Sequence, residues 1–541
     1  MKIDVKYMDV IKSLIKTGIG DGKNYYTNLM YTIPDAKEPT EKILVPNILF
    51  WDPLGEYISK SLYCPHCQQD GFKSNLQNSE HWDVGQSKSH FPRALWDDGW
   101  YCALVGKMYH CKSNHSINSY HAGIIDQIPI DKVPFMLTFK TGVTKTLFHK
   151  VIRYLEVGVS FSGMEGMLSG NFVDECHRRN MMLQSEPLLL EQIKEIISSF
   201  SPSDNILRQC FVMHFEVHKK TYQQELDKIP FKSLSFDHTF KVATNIGYWK
   251  DHKWIKVYDS LFILMNEEGS IKAYQYTKGT ALENVKDLLI KIKQQGDPEF
   301  IYVDNCCSLR KQLLQIFPNT KVKLDLFHAV QRLVKTISKK HIFCSEFSKQ
   351  IGLVFRGKND IEEQRKENTG SAETVLKNFE TLIEDWKDVH YKRWKIVNEN
   401  FVKEANNLKK HILNSCLSEI SPGQGTNRNE NLHKNLKSIL KSKKMGIQTA
   451  NALMAHVIHT HNAKKRLHKI KKSQHEIIPP IWALGKPDLP ENLDAKTVME
   501  SSILTQTDFI FKEMDEQWQG ETDTDHSYGS NTACKLIPFL L

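Results

Sequence analysis

The 541-residue chain has no long uncharged hydrophobic run, and no stretch approaches the ~18–20 apolar residues of a membrane-spanning helix. Its first residues, MKIDVKYMDVIKSLIKTG, carry charges throughout and lack the apolar centre of a secretory signal peptide. The 11 cysteines are too few and too scattered for a disulfide scaffold. These absences predict a soluble, intracellular protein that makes no membrane contacts and keeps its thiols reduced.

Neither sign of charge dominates the composition, since 72 Lys and Arg stand against 63 Asp and Glu. The positive excess is concentrated in two runs, KNLKSILKSKK (434–444) and KKRLHKIKK (464–472). Dense basic patches attract phosphate backbones through counterion release, although a solvated helix face is the alternative for either run alone. The second run also has the pattern of a nuclear-localisation patch, which predicts a nuclear protein. The predicted nucleic-acid contacts are Lys434, Lys437, Lys441, Lys464, Lys465 and Arg466.

Composition and periodicity divide the chain into five segments without internal repeats. These are an N-terminal segment (1–55), a small Cys- and His-rich module (56–130), a helical and possibly DNA-contacting segment (131–226), an α/β domain (227–465), and a basic stretch with a largely disordered tail (466–541).

The α/β domain begins where the hydrophobic period changes from helical to strand-like. KSLSFDHTF alternates, and two strands joined near Glu268-Gly269 follow it. A helix, the buried strand EFIYVD, a second helix and the strand KVKLDLF complete a β-β-β-α-β-α-β order. This is a mixed sheet flanked by helices, and its order resembles a ribonuclease-H-like core. A charged helical insertion is expected over about 341–420.

Three acidic residues of this domain are candidates for a metal site: Asp237, Asp304 and Glu430. The first projects from a strand, the second closes an apolar strand, and the third lies in the first turn of a helix. Ligand sites in such sheets lie beyond the carboxyl ends of strands. Carboxylates suit Mg²⁺, and two ions ~3.5–4 Å apart can cut or join phosphodiester bonds. Taken singly, Asp304-Asn305 also fits a turn, and Asn427-x-x-Glu430 fits a helix cap.

A second pair of residues, Asp325 and His328, follows the strand KVKLDLF as Asp-Leu-Phe-His. Asp325 is expected at the end of that strand, and His328 in the first turn of the next helix. The pair is either an ordinary helix N-terminus or an acid–imidazole pair beside the active site.

The Cys- and His-rich module contains Cys64-Pro-His-Cys67, a spacing at which two thiolates from one tight turn can share a tetrahedral Zn²⁺. Cys111-Lys-Ser-Asn-His115 supplies the other half, which makes the module zinc-ribbon-like. Reduced cysteines in a small core are the alternative. Three further residues compete as ligands: Cys102, His110 and His121.

Four motifs within about 230–465 together resemble eukaryotic cut-and-paste DDE transposases with a C/D(2)H motif, near the Mutator-like, hAT-like and Kyakuja/Dileera/Zisupton groups. They are Asp237-His-Thr-Phe-Lys241, Tyr302-Val-Asp304-Asn305, Leu324-Asp325-Leu-Phe-His328 and Gly425-Thr-Asn-Arg-Asn-Glu430-Asn-Leu-His433.

The resemblance implies that Asp237, Asp304 and Glu430 bind catalytic Mg²⁺ or Mn²⁺ and that Asp325 and His328 support the site. It also implies that transposon ends and target DNA are the substrates, and a homo-oligomer is expected. In this hypothesis, a metal-activated water cleaves the DNA end and the released 3′-OH attacks the target. The alternatives are a domesticated descendant that binds DNA or chromatin without cutting it, and a zinc-dependent interaction protein whose acids are incidental.

Overall fold

The computed structural model describes residues 26–28, 46–54, 61–83, 93–129, 132–138, 141–182, 202–338, 340–356, 369–421, 425, 427–439 and 444–470. Over these ranges the chain is a mixed α/β protein built on two large sheets. No helix among the described residues has the length and apolar character needed to cross a membrane. The predicted tail beyond 470 lies outside the described residues.

The first sheet has eight strands, and the long strand β5 is at its centre. The eight strands are β1 (Tyr26–Asn28), β2 (Asn47–Trp51), β3 (Leu76–Trp82), β4 (Arg93–Trp96), β5 (Tyr101–Cys111), β6 (Ser116–Asn118), β7 (Phe135–Leu137) and β8 (Gly142–Thr144). Two short helices, α1 (Pro65–Gln69) and α2 (Ala122–Ile125), lie in the connections. Since β8 pairs with β4, this sheet continues into the segment predicted as helical from residue 131.

Where the chain is described after the first sheet, it forms three helices: α3 (Lys145–Glu156), α4 (Phe161–Met182) and α5 (Asp204–Asp227). The hydroxyl groups of Thr144 and Ser203 accept hydrogen bonds from backbone N–H groups at the first turns of α3 and α5. The segment is therefore helical, as predicted, over 145–156, 161–182 and 204–227. The helix predicted over 186–200 lies outside the described residues.

The second sheet has five strands in the order β13-β12-β9-β14-β15. Their bounds are β9 (Ser233–Thr239), β12 (Ser260–Asn266), β13 (Ile271–Thr277), β14 (Phe300–Val303) and β15 (Lys321–Leu324). The strands β9, β14 and β15 are mutually parallel, whereas β12 is antiparallel to both of its neighbours. The predicted turn at Glu268-Gly269 is present, and Gly269 has a φ of 80°.

Four helices lie among or directly after these strands; the first was not predicted, and the other three occur in the predicted order. They are α6 (Phe240–Ala243), α7 (Lys286–Lys293, preceded by a 3₁₀ turn at Leu282–Val285), α8 (Cys306–Ile316) and α9 (Leu326–Lys335). A hairpin of β10 (Gly247–Lys250) and β11 (Lys253–Lys256) was not predicted. Its turn has positive φ at Asp251 and His252 and contains no glycine, so it carries no strong sequence signal.

The described residues of the predicted insertion form three helices and one small hairpin. They are α10 (Cys344–Arg356), α11 (Ala372–Trp386), β16 (His390–Tyr391), β17 (Trp394–Lys395) and α12 (Glu399–Leu413). Two further helices, α13 (Asn427–Ile439) and α14 (Ile447–Ile470), end the described chain.

Hydrophobic cores cover both faces of the five-stranded sheet, and β12 contributes alternately to each. Leu261, Ile263 and Met265 pack in a core with α3, α4, α5, α13 and α14. Phe262 and Leu264 pack in a second core with α7 to α12, which includes the insertion. Because successive side chains of a strand point to opposite faces, a fully apolar strand such as β12 belongs at the centre of a sheet buried on both sides.

Candidate functional site

Three aspartates lie in one row across the neighbouring parallel strands of the second sheet. The strand β9 pairs with β14 in the register Tyr302↔Ser235, and continuing this register sets Asp304 beside Asp237. The strand β14 pairs with β15 in the register Val303↔Leu324, which sets Asp325 beside Asp304. The backbone N–H of Asp325 extends this ladder by donating to the Val303 carbonyl at 3.0 Å. Adjacent strands are ~4.8 Å apart, so the row is compact.

Asp304 lies close to both of the residues predicted to support the site. His328 Nε2 lies 3.5 Å from Asp304 Oδ1, and ligand atoms of Asp304, Asp325 and His328 lie within 4.8 Å of one another. The Arg332 guanidinium donates to the Asp304 backbone carbonyl at 2.7 Å. The helix α9 thus fixes both the backbone and the carboxylate of Asp304, and the three grouped side chains could hold a metal ion.

Asp325 has a structural role that the sequence analysis left open. It is the N-cap residue of α9, and its Oδ1 accepts the His328 backbone N–H at 2.8 Å. Its side chain is buried, and a Cβ added at Gly425 would overlap Asp325 Oδ2. Gly425 also has a φ of 124°, a conformation that other residues rarely adopt. The glycine therefore allows the segment before α13 to approach the buried carboxylate.

The helix α13 is attached to Asp237 through His433, whose Nδ1 lies 3.6 Å from Asp237 Oδ2. Leu432 and Leu436 of the same helix are buried in the core that contains Val242 of α6. Residue 430 lies one helical turn before His433, and residues three apart are neighbours on a helix surface. The backbone of the predicted glutamate is therefore on the helix that docks beside Asp237, as its position in the first helical turn predicted.

Two histidines adjoin Asp237 and were not predicted as site residues: His238, the next residue of β9, and His433 of α13. Burial and the nearby charge of His433 lower the pKa of His238 to about 4, which keeps its imidazole neutral near pH 7. His238 Nδ1 lies 3.1 Å from the Ser260 hydroxyl. Their only sequence signal is adjacency to the motif acids: His238 follows Asp237, and His433 is three residues after Glu430.

The cysteines and histidine predicted for zinc converge in the first sheet. Ligand atoms of Cys64, Cys67, Cys111 and His115 lie within 4.8 Å of one another. The Sγ atoms of Cys67 and Cys111 are 3.8 Å apart, and His115 Nδ1 is 3.5 Å from each of the three sulfurs. Tetrahedral Zn²⁺ with ordinary bond lengths sets sulfurs ~3.8 Å apart and sulfur and nitrogen ~3.6 Å apart. This group could bind zinc.

Local backbone geometry presents these four ligands. Cys64 caps α1, and the turn from Cys111 to His115 closes through a 3.1 Å hydrogen bond from Cys111 N–H, with Asn114 at a φ of 62°. Burial raises the pKa of Cys111, but hydrogen bonds from the His115 and Ser113 backbone and the neighbouring thiols outweigh it and lower the pKa to about 6. A low pKa favours the thiolate, the form that binds metal.

The three competing residues are placed elsewhere. Cys102 is buried in β5, and His110 is exposed on the same strand. His121 caps α2, where its Nδ1 accepts the Gly123 backbone N–H at 3.2 Å. Among the described residues, none of the three belongs to the cluster, so His115 is the fourth candidate ligand.

A second group of cysteines and a histidine was missed by the sequence analysis. Cys306, Cys307, His411 and Cys416 also have ligand atoms within 4.8 Å of one another. Hydrogen bonding with Cys306 lowers the pKa of Cys416 to about 5, with His411 and Arg310 acting in the same direction. The available signals were the adjacent Cys306-Cys307 pair and the spacing from His411 to Cys416, and neither is a usual zinc spacing.

The predicted nucleic-acid contacts are divided between two helices. Lys434 and Lys437 are exposed on α13, the helix that docks beside Asp237. Lys464, Lys465 and Arg466 lie on α14, and Arg466 pairs with Glu225 of α5 at 3.0 Å. Lys441 lies outside the described residues. Of the predicted contacts, only the lysines of α13 lie on a helix that contacts a row aspartate among the described residues.

No protein-family model and no curated protein matches this chain.

Gly425→Ala tests the packing of the segment before α13 on Asp325. We expect the substitution to lower the free energy of unfolding by about 1–3 kcal/mol, because alanine is strained at this φ and its Cβ overlaps the carboxylate. Denaturant unfolding measures the change. In an Asp325→Ala background the overlap is absent, and the cost should decrease.

Gly166→Ala is the matched control. This glycine is exposed in α4 with open space around its Cα, so alanine should be neutral or stabilise the protein by up to about 1 kcal/mol. A Gly425→Ala variant as stable as the wild type would contradict the described packing.

Proposed function

We propose that the chain is a DNA transposase or a transposase-derived protein with a ribonuclease-H-like catalytic core, which cuts and joins DNA strands. The observation that carries the proposal is the acidic row itself. Asp237 and Asp304 occupy neighbouring positions on parallel strands by register, and ligand atoms of Asp304, Asp325 and His328 lie within 4.8 Å of one another. The central strand β9, the parallel strands β14 and β15 and the antiparallel pair β12 and β13 form a sheet that also fits the proposed core.

The donor set suits hard divalent ions, because the row offers carboxylate oxygens at the carboxyl ends of strands. We propose that Asp237, Asp304 and Glu430 hold two Mg²⁺ or Mn²⁺ ions. Such ions activate the attacking oxygen and stabilise the leaving oxygen of a phosphodiester. The contact between His433 and Asp237 supports the assignment of Glu430, because it brings the helix that carries residue 430 against β9.

Asp325 and His328 act as positioning residues in this proposal. Asp325 caps α9 and thereby fixes the turn that presents His328, whose imidazole lies 3.5 Å from Asp304. The hydrogen bond from Arg332, which is also in α9, holds the backbone of Asp304 against the same helix. A residue whose backbone and side chain are both held by one helix loses little freedom when it binds an ion, which is the preorganisation that catalysis requires.

The basic residues supply the DNA contact in this proposal. Lys434 and Lys437 are exposed on the helix that docks beside Asp237. Lys444, at the end of the same basic run, lies 4.2 Å from the ring centre of Trp249 in the β10–β11 hairpin. Contacts to phosphate fix the orientation of DNA without reading its sequence, so DNA can be held across the acids by charge alone. With DNA as substrate, we also propose that the protein acts in the nucleus, and that zinc bound by Cys64, Cys67, Cys111 and His115 stabilises the N-terminal module.

Asp304→Asn tests the cleavage reaction. With Mg²⁺ or Mn²⁺ and end-labelled DNA, we expect the wild type to cut the strand and Asp304→Asn, Asp237→Asn and Glu430→Gln each to lower the rate by at least about 100-fold, because each removes a carboxylate that holds an ion. Gel electrophoresis of the labelled strand measures the rate.

Glu299→Gln is the matched control, since Glu299 is exposed beyond the opposite end of the same strand and pairs with Lys232 at 3.7 Å. It should cut at the wild-type rate. Tight DNA binding without cleavage in either metal would favour the non-catalytic alternative, and equal cleavage by the wild type and Asp304→Asn would refute the acidic row as the active site.

Lys434→Ala with Lys437→Ala tests the DNA contact. Because each phosphate contact contributes about 0.9 to the dependence of log K on log salt, the double variant should bind duplex DNA more weakly with a slope shallower by about 2. Fluorescence anisotropy over a salt series measures both quantities.

The control carries Lys228→Ala with Lys232→Ala, two exposed lysines that precede β9, and its slope should equal that of the wild type. Equal slopes for all three proteins would place the DNA contact elsewhere.

A further inference from the structure

The group Cys306, Cys307, His411 and Cys416 has the spacing of a tetrahedral metal site. His411 Nδ1 lies 3.6 Å from Cys306 Sγ and 3.2 Å from Cys307 Sγ. Cys307 Sγ lies 3.8 Å from Cys306 Sγ and 3.6 Å from Cys416 Sγ. Four-coordinate Zn²⁺ with thiolate and imidazole ligands requires separations of ~3.6–3.8 Å. Three of these four separations match that range, and the His411–Cys307 separation of 3.2 Å is shorter.

Two separate parts of the α/β domain supply these ligands. Cys306 and Cys307 are the first residues of α8, directly after Asp304 and Asn305. His411 lies in the last turn of α12, and Cys416 follows in a turn that has Ser415 at a φ of 54°. Cys306 and His411 are 105 positions apart in the chain, so an ion here would cross-link the insertion to the sheet.

Backbone and side-chain contacts already hold the turn after α12 against the sheet. The Leu324 backbone N–H donates to the Cys416 carbonyl at 2.9 Å, and Lys323 Nζ donates to the carbonyls of Ser415 and Ser418 at 3.0 Å each. Both donors belong to β15, whose next residue is Asp325. Cys416 is therefore fixed relative to the strands that carry two of the row aspartates.

The surroundings of the cluster match the charge of a three-thiolate zinc site. Zinc bound by three thiolates and a neutral imidazole has a net charge of about −1. The Arg310 guanidinium donates to Cys416 Sγ at 3.0 Å and to the Val322 carbonyl at 3.2 Å. A fixed cation beside a ligating sulfur is the kind of outer contact that orients metal ligands. Cys306 and Cys416 are fully buried, His411 is half-buried and Cys307 is exposed, so the cluster lies at the edge of the core.

We propose that Cys306, Cys307, His411 and Cys416 bind a structural Zn²⁺ ion that clamps the helical insertion to the start of α8, two residues after Asp304. The inference does not depend on the proposed function, because it rests on ligand geometry alone. Reduced cysteines packed without metal, and oxidation to a disulfide, are the competing chemical outcomes.

Zinc content of the purified full-length chain tests the proposal. We expect about two zinc ions per wild-type chain by elemental analysis, and about one after Cys64→Ser with Cys67→Ser. Cys307→Ser with Cys416→Ser should likewise leave about one, and the four substitutions together should leave none. Cys344→Ser is the matched control and should retain both ions, since Cys344 is a half-buried free cysteine of α10 outside the cluster.

Cobalt substitution tests the site without altering its ligands. In the Cys64→Ser, Cys67→Ser chain, Co²⁺ should give the visible bands of a tetrahedral ion and a near-ultraviolet thiolate charge-transfer band, because only the second cluster remains intact. Absence of these bands, a zinc content unchanged by Cys307→Ser with Cys416→Ser, or a disulfide among these cysteines in the freshly purified wild type would overturn the proposal. These results are independent of DNA cleavage.

Discussion

The parallel register of β9, β14 and β15 is the constraint on which the rest of the site depends. Because side chains in one row of a parallel sheet emerge on the same face, this register brings Asp237, Asp304 and Asp325 to one end of the sheet. A shift of one residue on any of the three strands would turn its aspartate to the opposite face. The apolar faces of the strands fix the register, since Leu234 and Ile301 must both enter the same core.

Two helices contact this row of aspartates. Asp325 is the N-cap residue of α9, and this helix contacts Asp304 through His328 and Arg332. The helix α13 contacts Asp237 through His433, and Gly425 lets the chain before α13 approach Asp325. Residues of these sequence motifs thus also hold helices α9 and α13 against the sheet. This dual use explains why an acid such as Asp325 fits a structural role when it is considered alone.

Much of the α/β domain could be predicted from local sequence. The alternation in KSLSFDHTF, the apolar run EFIYVD and the helix after KVKLDLF are all present where periodicity puts them. The β10–β11 hairpin and the strands β7 and β8 were not predicted, because they are short and lack a glycine turn or a long alternating run. The spacing of the zinc ligands in the sequence identified the group Cys64, Cys67, Cys111 and His115. The cluster of Cys306, Cys307, His411 and Cys416 has no such recognisable spacing.

The sequence by itself determined the order and type of the main strands and helices of the α/β domain and the acids at the ends of its strands, because hydrophobic period and strand ends are local properties. Only the tertiary structure decided which residues meet. The pairing of His433 with Asp237, the overlap that Gly425 avoids, and the approach of His411 and Cys416 to Cys306 and Cys307 join segments up to about 200 residues apart. Such contacts depend on the packing of the insertion and of α13 on the sheet, and no local pattern encodes that packing.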